Sequence, residues 1–227
     1  MHTHTFVSPG DVKTARRVLA WARSYLTRQN ERINRPYPPK TVCPFVEASI
    51  KTNYFYMVFH NEVNGRDLAA IADLILGYTS PFKEAHPLTH AEQTLKALLI
   101  VFPNIEEHFL TVLDECHQLI RPKMVNLGLM IGQFHPKCGE RAIHNLQWNA
   151  ISRSPVPLVA MRHMVIHDIM FLQDNKEAFR VYDSKFGIRF AKRSTSLPPY
   201  QKHLIAYYER AKSNYSDSRD EVFAVLR

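Results

Sequence analysis

Cysteine is scarce in this chain of 227 residues: only Cys43, Cys116 and Cys138 occur. Odd in number and widely spaced, they argue against a disulfide framework and suit a reducing cytosol. No run of about 18 apolar residues appears, which leaves nothing to span a bilayer as a helix. The opening MHTHTFVSPGDVKTARR lacks the apolar core of a secretion signal. A cytoplasmic chain without a membrane partner is the expectation. Also missing are zinc-finger spacing, an RNP-like strand and a basic helix followed by heptads. The excess of 29 Lys and Arg over 21 Asp and Glu, a net charge of +8, is therefore not read as a nucleic-acid footprint. An anionic small substrate or cofactor carboxylates account for scattered arginines equally well. There is no internal repeat and no low-complexity segment.

What is present is a 45% apolar chain, enough for one sizeable core. Residues 11–28 carry Val12, Ala15, Val18, Leu19, Ala22, Tyr25 and Leu26 at helical spacing. NRPYPPKTVCPF, rich in proline, reads as extended. NYFYMVFH at 53–60 reads as a strand, either an edge or an interface between copies of the chain. GRDLAAIADLILGYTSPF reads as a helix ending near Gly77, and LKALLIVFP as a buried strand. NIEEHFLTVLDECHQLI pairs Asn104 with Glu107 in a capping-box pattern, with Ile105, Phe109, Val112, Cys116 and Leu119 on its core face. MVNLGLMIGQF and VPLVAMRHMVI read as two further strands, and DIMFLQDNKEAF as a helix capped by Asp168. This order predicts an α+β fold, one mainly antiparallel sheet with helices packed on it. Residues 1–190 form a single domain in this reading, and 191–227 a polar extension with one helix.

The chemistry concentrates in LGLMIGQFHPKCGERAIHN, residues 127–145. Of only seven glycines, Gly128 and Gly132 fall four apart, so in a strand they share a face with Met130 and Phe134. A bare strand face admits a flat cofactor such as haem, and equally a packed helix or a β-bulge. His135 follows directly and is held extended by Pro136, as an axial ligand or general base requires. His144 and Asn145 come nine and ten residues later, with Gly139 between to let the loop fold back. Cys138 beside His135 or His144 has the makings of a nucleophilic pair, without a second motif to support it. Structural zinc wants paired ligand half-sites, which are absent. In 153–168, His163 and His167 have the HxxxH spacing of a helical metal site, but Pro155 and Pro157 favour a strand. Four strand steps then separate the two imidazoles by about 13 Å, too far to share one ion. Arg162 on an apolar face needs an anion, either a substrate or cofactor carboxylate or a structural acid. Arg153 is a second candidate for that role, and Cys43 before Pro44 reads as a small buried residue.

VCPFV, KALLIVFP, GLMIGQFHP, HN and RSPVPLVAMRHMV resemble a bacterial family of unknown function, found largely in actinobacterial and other natural-product-rich genomes. The likeness covers roughly residues 15–175. In layout alone the chain is also similar to the YqcI/YcgG family, some of whose members are haem-dependent oxygenases acting on amino-acid-derived nitrogen. That resemblance implies haem against Gly128, Met130 and Gly132, and iron ligation by His135. It also implies Arg153 and Arg162 on propionates or a substrate carboxylate, and His144 or His163 as proton relay. The resulting expectation is an iron-dependent, haem-binding oxidative enzyme acting on a small amine or amino-acid-derived substrate. The alternatives are a non-catalytic small-ligand-binding or interaction domain, and a cofactor-free hydrolase or transferase using His135 and Cys138.

Overall fold

A computed structural model describes residues 8–32, 40–85, 89–143, 145–191 and 197–216. Half of the extended proline-rich segment, residues 34–39, and His144 lie outside the described residues. Four strands form one mixed sheet: β1 (Phe55–Phe59), β2 (Ala97–Val101), β3 (Leu129–Phe134) and β4 (Leu158–His163), ordered β1-β2-β4-β3. β1 runs parallel to β2, while β4 is antiparallel to both β2 and β3. The α+β expectation holds, with one parallel pairing inside a mainly antiparallel sheet. A parallel pair needs a long crossover, and α3 (Leu68–Gly77), α4 (Thr79–Glu84) and α5 (His90–Gln93) occupy that connection.

The strand sequences explain their places. Leu98–Val101 in β2, and Leu158, Val159 and Met161 in β4, are buried on both faces, as central strands require. β1, half-buried along its whole length, stands at one edge. On one face Leu99, Val101 and Leu158 pack with Val18 and Trp21 of α1 (Pro9–Trp21). α1 starts at a capping box: the Ser8 hydroxyl accepts from Asp11 N, and the Asp11 carboxylate accepts from Ser8 N. It runs into a π-helical turn, Ala22–Leu26, and Ala22 and Leu26 pack with Val46 of the short α2 (Val46–Lys51).

The other face meets α6 (Val112–Asn126). Its His117 is hydrogen-bonded to the backbone of Ile131 on edge strand β3, and burial holds that imidazole below its ordinary pKa. The expected start at Asn104 is corrected. The Asn104 amide donates to the Asn61 carbonyl at 2.7 Å, and Glu107–Phe109 form a 3-10 turn. Helical phase therefore counts from Val112, which buries Leu113, Cys116, Ile120 and Met124 and leaves Leu119 59% exposed. The expected strand from Met124 is corrected too, because α6 runs on to Asn126. Gly128, at φ 73°, turns the chain before β3 begins.

The strands, α1 and the first part of α6 belong to one compact unit. The second unit takes in Val125–Gly128 and the described residues from Met164 onward. It holds α7 (Ile169–Leu172), α8 (Lys176–Ala191) and α9 (Leu204–Ser216). One helix over 168–179 was expected, but the Asp168 carboxylate accepts from Val165 N, three residues behind it. Asn175 then caps α8 by accepting from Ala178 N at 2.9 Å. Tyr182 is fully buried and donates to the Ile166 carbonyl, and Phe190 stacks on Tyr208.

Candidate functional site

The strand end and the helix meet at Asp114. β3 delivers Gln133 and then His135 to the α6 side of the sheet, since alternate strand residues share a face. His135 Nε2 lies 3.0 Å from Asp114 Oδ2, with the imidazole only 1% exposed and the Asp114 side chain 31% exposed. The Gln133 amide donates to Asp114 Oδ1 at 3.1 Å and to Glu140 Oε2 at 3.2 Å. Pro136 does more than hold His135 extended. Cys138 N donates to the His135 carbonyl at 3.1 Å, so residues 135–138 form a β-turn with proline at its second position. That turn, and not Gly139, returns the chain and sets Cys138 Sγ 3.7 Å from Asp114 Oδ1.

One nitrogen, one sulfur and one carboxylate oxygen from these three residues lie within 4.8 Å of one another. Buried His135 Nδ1 finds no hydrogen-bond partner among the described residues. Burial, with the Asp114 and Glu140 charges adding to it, pushes the Cys138 thiol up to about 11. The thiol points at the carboxylate and keeps its proton, which does not suit an activated nucleophile. Asp114 was missed in the sequence. Its signal was a polar pair, Asp114 and His117, at i,i+3 on a helix that otherwise buries its apolar residues.

The remaining candidates are dispersed. Gly128 lies outside β3, so it does not share a strand face with Gly132, and a side chain there would run into Lys185. At Gly132 an added Cβ would stand 3.4 Å from the Phe134 ring, which itself packs edge-on against Trp21. Met130 is buried opposite Arg162. No bare flat strand face remains beside His135, whose Nε2 already faces Asp114 and whose unpartnered Nδ1 is buried, and these residues do not fit an axially ligated haem. His163 pairs with Leu129, six residues before His135, so about 20 Å of strand separates the two histidines. Its ring lies against Phe82. Arg162 sits at that same far end, donating to the His163 carbonyl at 3.0 Å with its guanidinium over Phe45.

Arg153 is placed otherwise. With Arg17, Trp21, Ser24, Pro136 and Pro155 it lines a groove of about 550 Å³. Pro136 thus stands in the groove wall directly after His135.

At the end of β3 a half-buried carboxylate, a buried imidazole and a buried thiol stand together, a set of donor types that could hold a metal ion. The chain belongs to the domain of unknown function DUF6875, whose family model matches residues 15–196. No curated protein and no solved structure matches it.

Proposed function

We propose that this chain is a metal-dependent enzyme of small-molecule chemistry, its ion held by Asp114, His135 and Cys138. The observation that carries the reading is the convergence of three different donor types within 4.8 Å on a nearly buried wall. Tetrahedral ligands around zinc stand roughly 3.5 Å apart, so a small contraction completes the set. Three protein ligands leave a fourth position for substrate. A thiolate with an imidazole favours zinc or iron(II) over magnesium or calcium. When bound, the ion supplies Lewis-acid polarisation or, as iron, one-electron chemistry.

The chain's own groups prepare that position. The Gln133 amide orients both the Asp114 and the Glu140 carboxylates. Exposed Glu140 is placed to take a proton on the solvent side. The Lys137–Glu107 ion pair, at 2.6 Å, ties the turn to the 3-10 segment. An iron-dependent oxidative enzyme acting on a small amine or amino-acid-derived substrate keeps its metal in this reading but not its porphyrin. Support for oxidation is the layout likeness to the YqcI/YcgG family.

Metal analysis of protein grown with added zinc or iron should give about one ion per chain. Asp114→Asn, His135→Ala and Cys138→Ser should each lose it while keeping native circular dichroism. Cobalt(II) loading should give a thiolate charge-transfer band that is missing from Cys138→Ser. A wild-type chain that binds neither zinc, iron nor cobalt overturns the proposal. A Soret band on adding hemin, lost in His135→Ala, would restore haem in its place.

A further inference from the structure

We infer that the groove between α1 and residues 153–155 binds a small ligand made of an oxyanion on a flat apolar body. Two guanidiniums, Arg17 and Arg153, line the same groove, and neither has an acidic partner among the described residues. Arg17 gives one N–H to the Pro155 carbonyl at 3.3 Å. A guanidinium has five donors, so most of the fork is left for a ligand. An oxyanion in the groove is attracted by both of the like charges that line it. The planar fork matches a carboxylate or a phosphate in two-point geometry.

The apolar half of the ligand has a prepared surface. The Trp21 indole N–H donates to the Arg153 carbonyl at 3.0 Å, and its ring stacks on Tyr25 and meets Phe134 edge-on. The indole is thus fixed on several sides and still half-exposed. Tyr25 braces the opposite segment, donating to the Ala150 and Ile151 carbonyls at 3.2 and 3.0 Å. Pro136 and Pro155 add rigid apolar wall to this open groove of about 550 Å³. Bracing of this kind lowers the ordering cost of binding. The π-helical turn directly after Trp21 is a device often found at functional sites. The groove does not depend on the proposed ion.

The test uses the full chain with Trp148→Phe, which leaves Trp21 as its one indole of two. Benzoate and phenyl phosphate are titrated against its fluorescence, with inorganic phosphate and benzyl alcohol as controls. At least one aryl anion should quench saturably, and the tighter of the two identifies the head group. Arg17→Gln or Arg153→Gln should weaken it about fivefold or more. Equilibrium dialysis of the same ligands against the native chain gives the same comparison if the tryptophan variant does not fold. Absence of saturable binding by either aryl anion overturns the inference. So does equal binding by inorganic phosphate or benzyl alcohol, or indifference to both arginine substitutions.

Discussion

Cys138 and Cys116 are both fully buried, and burial pushes each thiol up to about 11. Cys43 is half-buried. Since the thiolate is the reactive form, iodoacetamide at pH 8 should label Cys43 first in metal-free native protein. Cys116 and Cys138 should react at least roughly tenfold more slowly until urea opens the fold. Peptide mass spectrometry reads all three at once, and prompt labelling of Cys138 would show a thiolate that the described geometry does not provide. At this scale His135 stood out in the sequence because Pro136 restricts its backbone, whereas the turn that buries Cys138 was not read. Asp114 was not. Its meeting with His135 spans 21 residues and depends on the rotational phase of α6. That phase was misread because Asn104 gives its amide to Asn61 instead of capping a helix. Lys96 escaped notice for a related reason. It is 2% exposed, and its ammonium donates to the Phe82 and Ala85 carbonyls at the end of α4.

Among the elements, α1 shows most directly how a few residues set a boundary. The Asn61 amide and the Ser8 hydroxyl donate to the Asp11 carboxylate and hold its pKa below the ordinary 3.8. A carboxylate with a depressed folded pKa stabilises above its unfolded value, and loses that contribution as pH falls through the folded one. Asp11→Ala should therefore cost about 1–2 kcal/mol at pH 7. The gap from wild type should shrink as urea unfolding is repeated below pH 3.8. A gap that stays constant with pH would assign the loss to packing. Helix and strand positions were largely readable, since period and burial agree in β1, β2, β4 and α3. Breaks within helices were not. The two-residue shift from Asn126 to Gly128 turns on a positive φ that only its neighbours reveal.

For the whole molecule, no helix among the described residues is long and apolar enough to cross a membrane. The second compact unit is not one continuous piece of chain, because Val125–Gly128 belong to it while β3 and β4 do not. Met164 N donates to the Gly128 carbonyl at 3.0 Å, and Val125 is 2% exposed. A chain ended at His163 should thus melt at least about 10 °C lower than the full chain, or fail to unfold cooperatively. Thermal circular dichroism decides it, and an unchanged midpoint would show that those four residues need no partner beyond His163.

Asp114, His135 and Cys138 come from one uninterrupted helix–strand–turn passage, whereas the groove draws Arg17 and Arg153 from opposite ends of the first unit. Inheritance can treat these two differently. The donor set travels as a cassette that insertions elsewhere in the chain leave whole. The groove is reshaped whenever either of its distant banks drifts, so its lining can change while the helix–strand–turn cluster stays as it is.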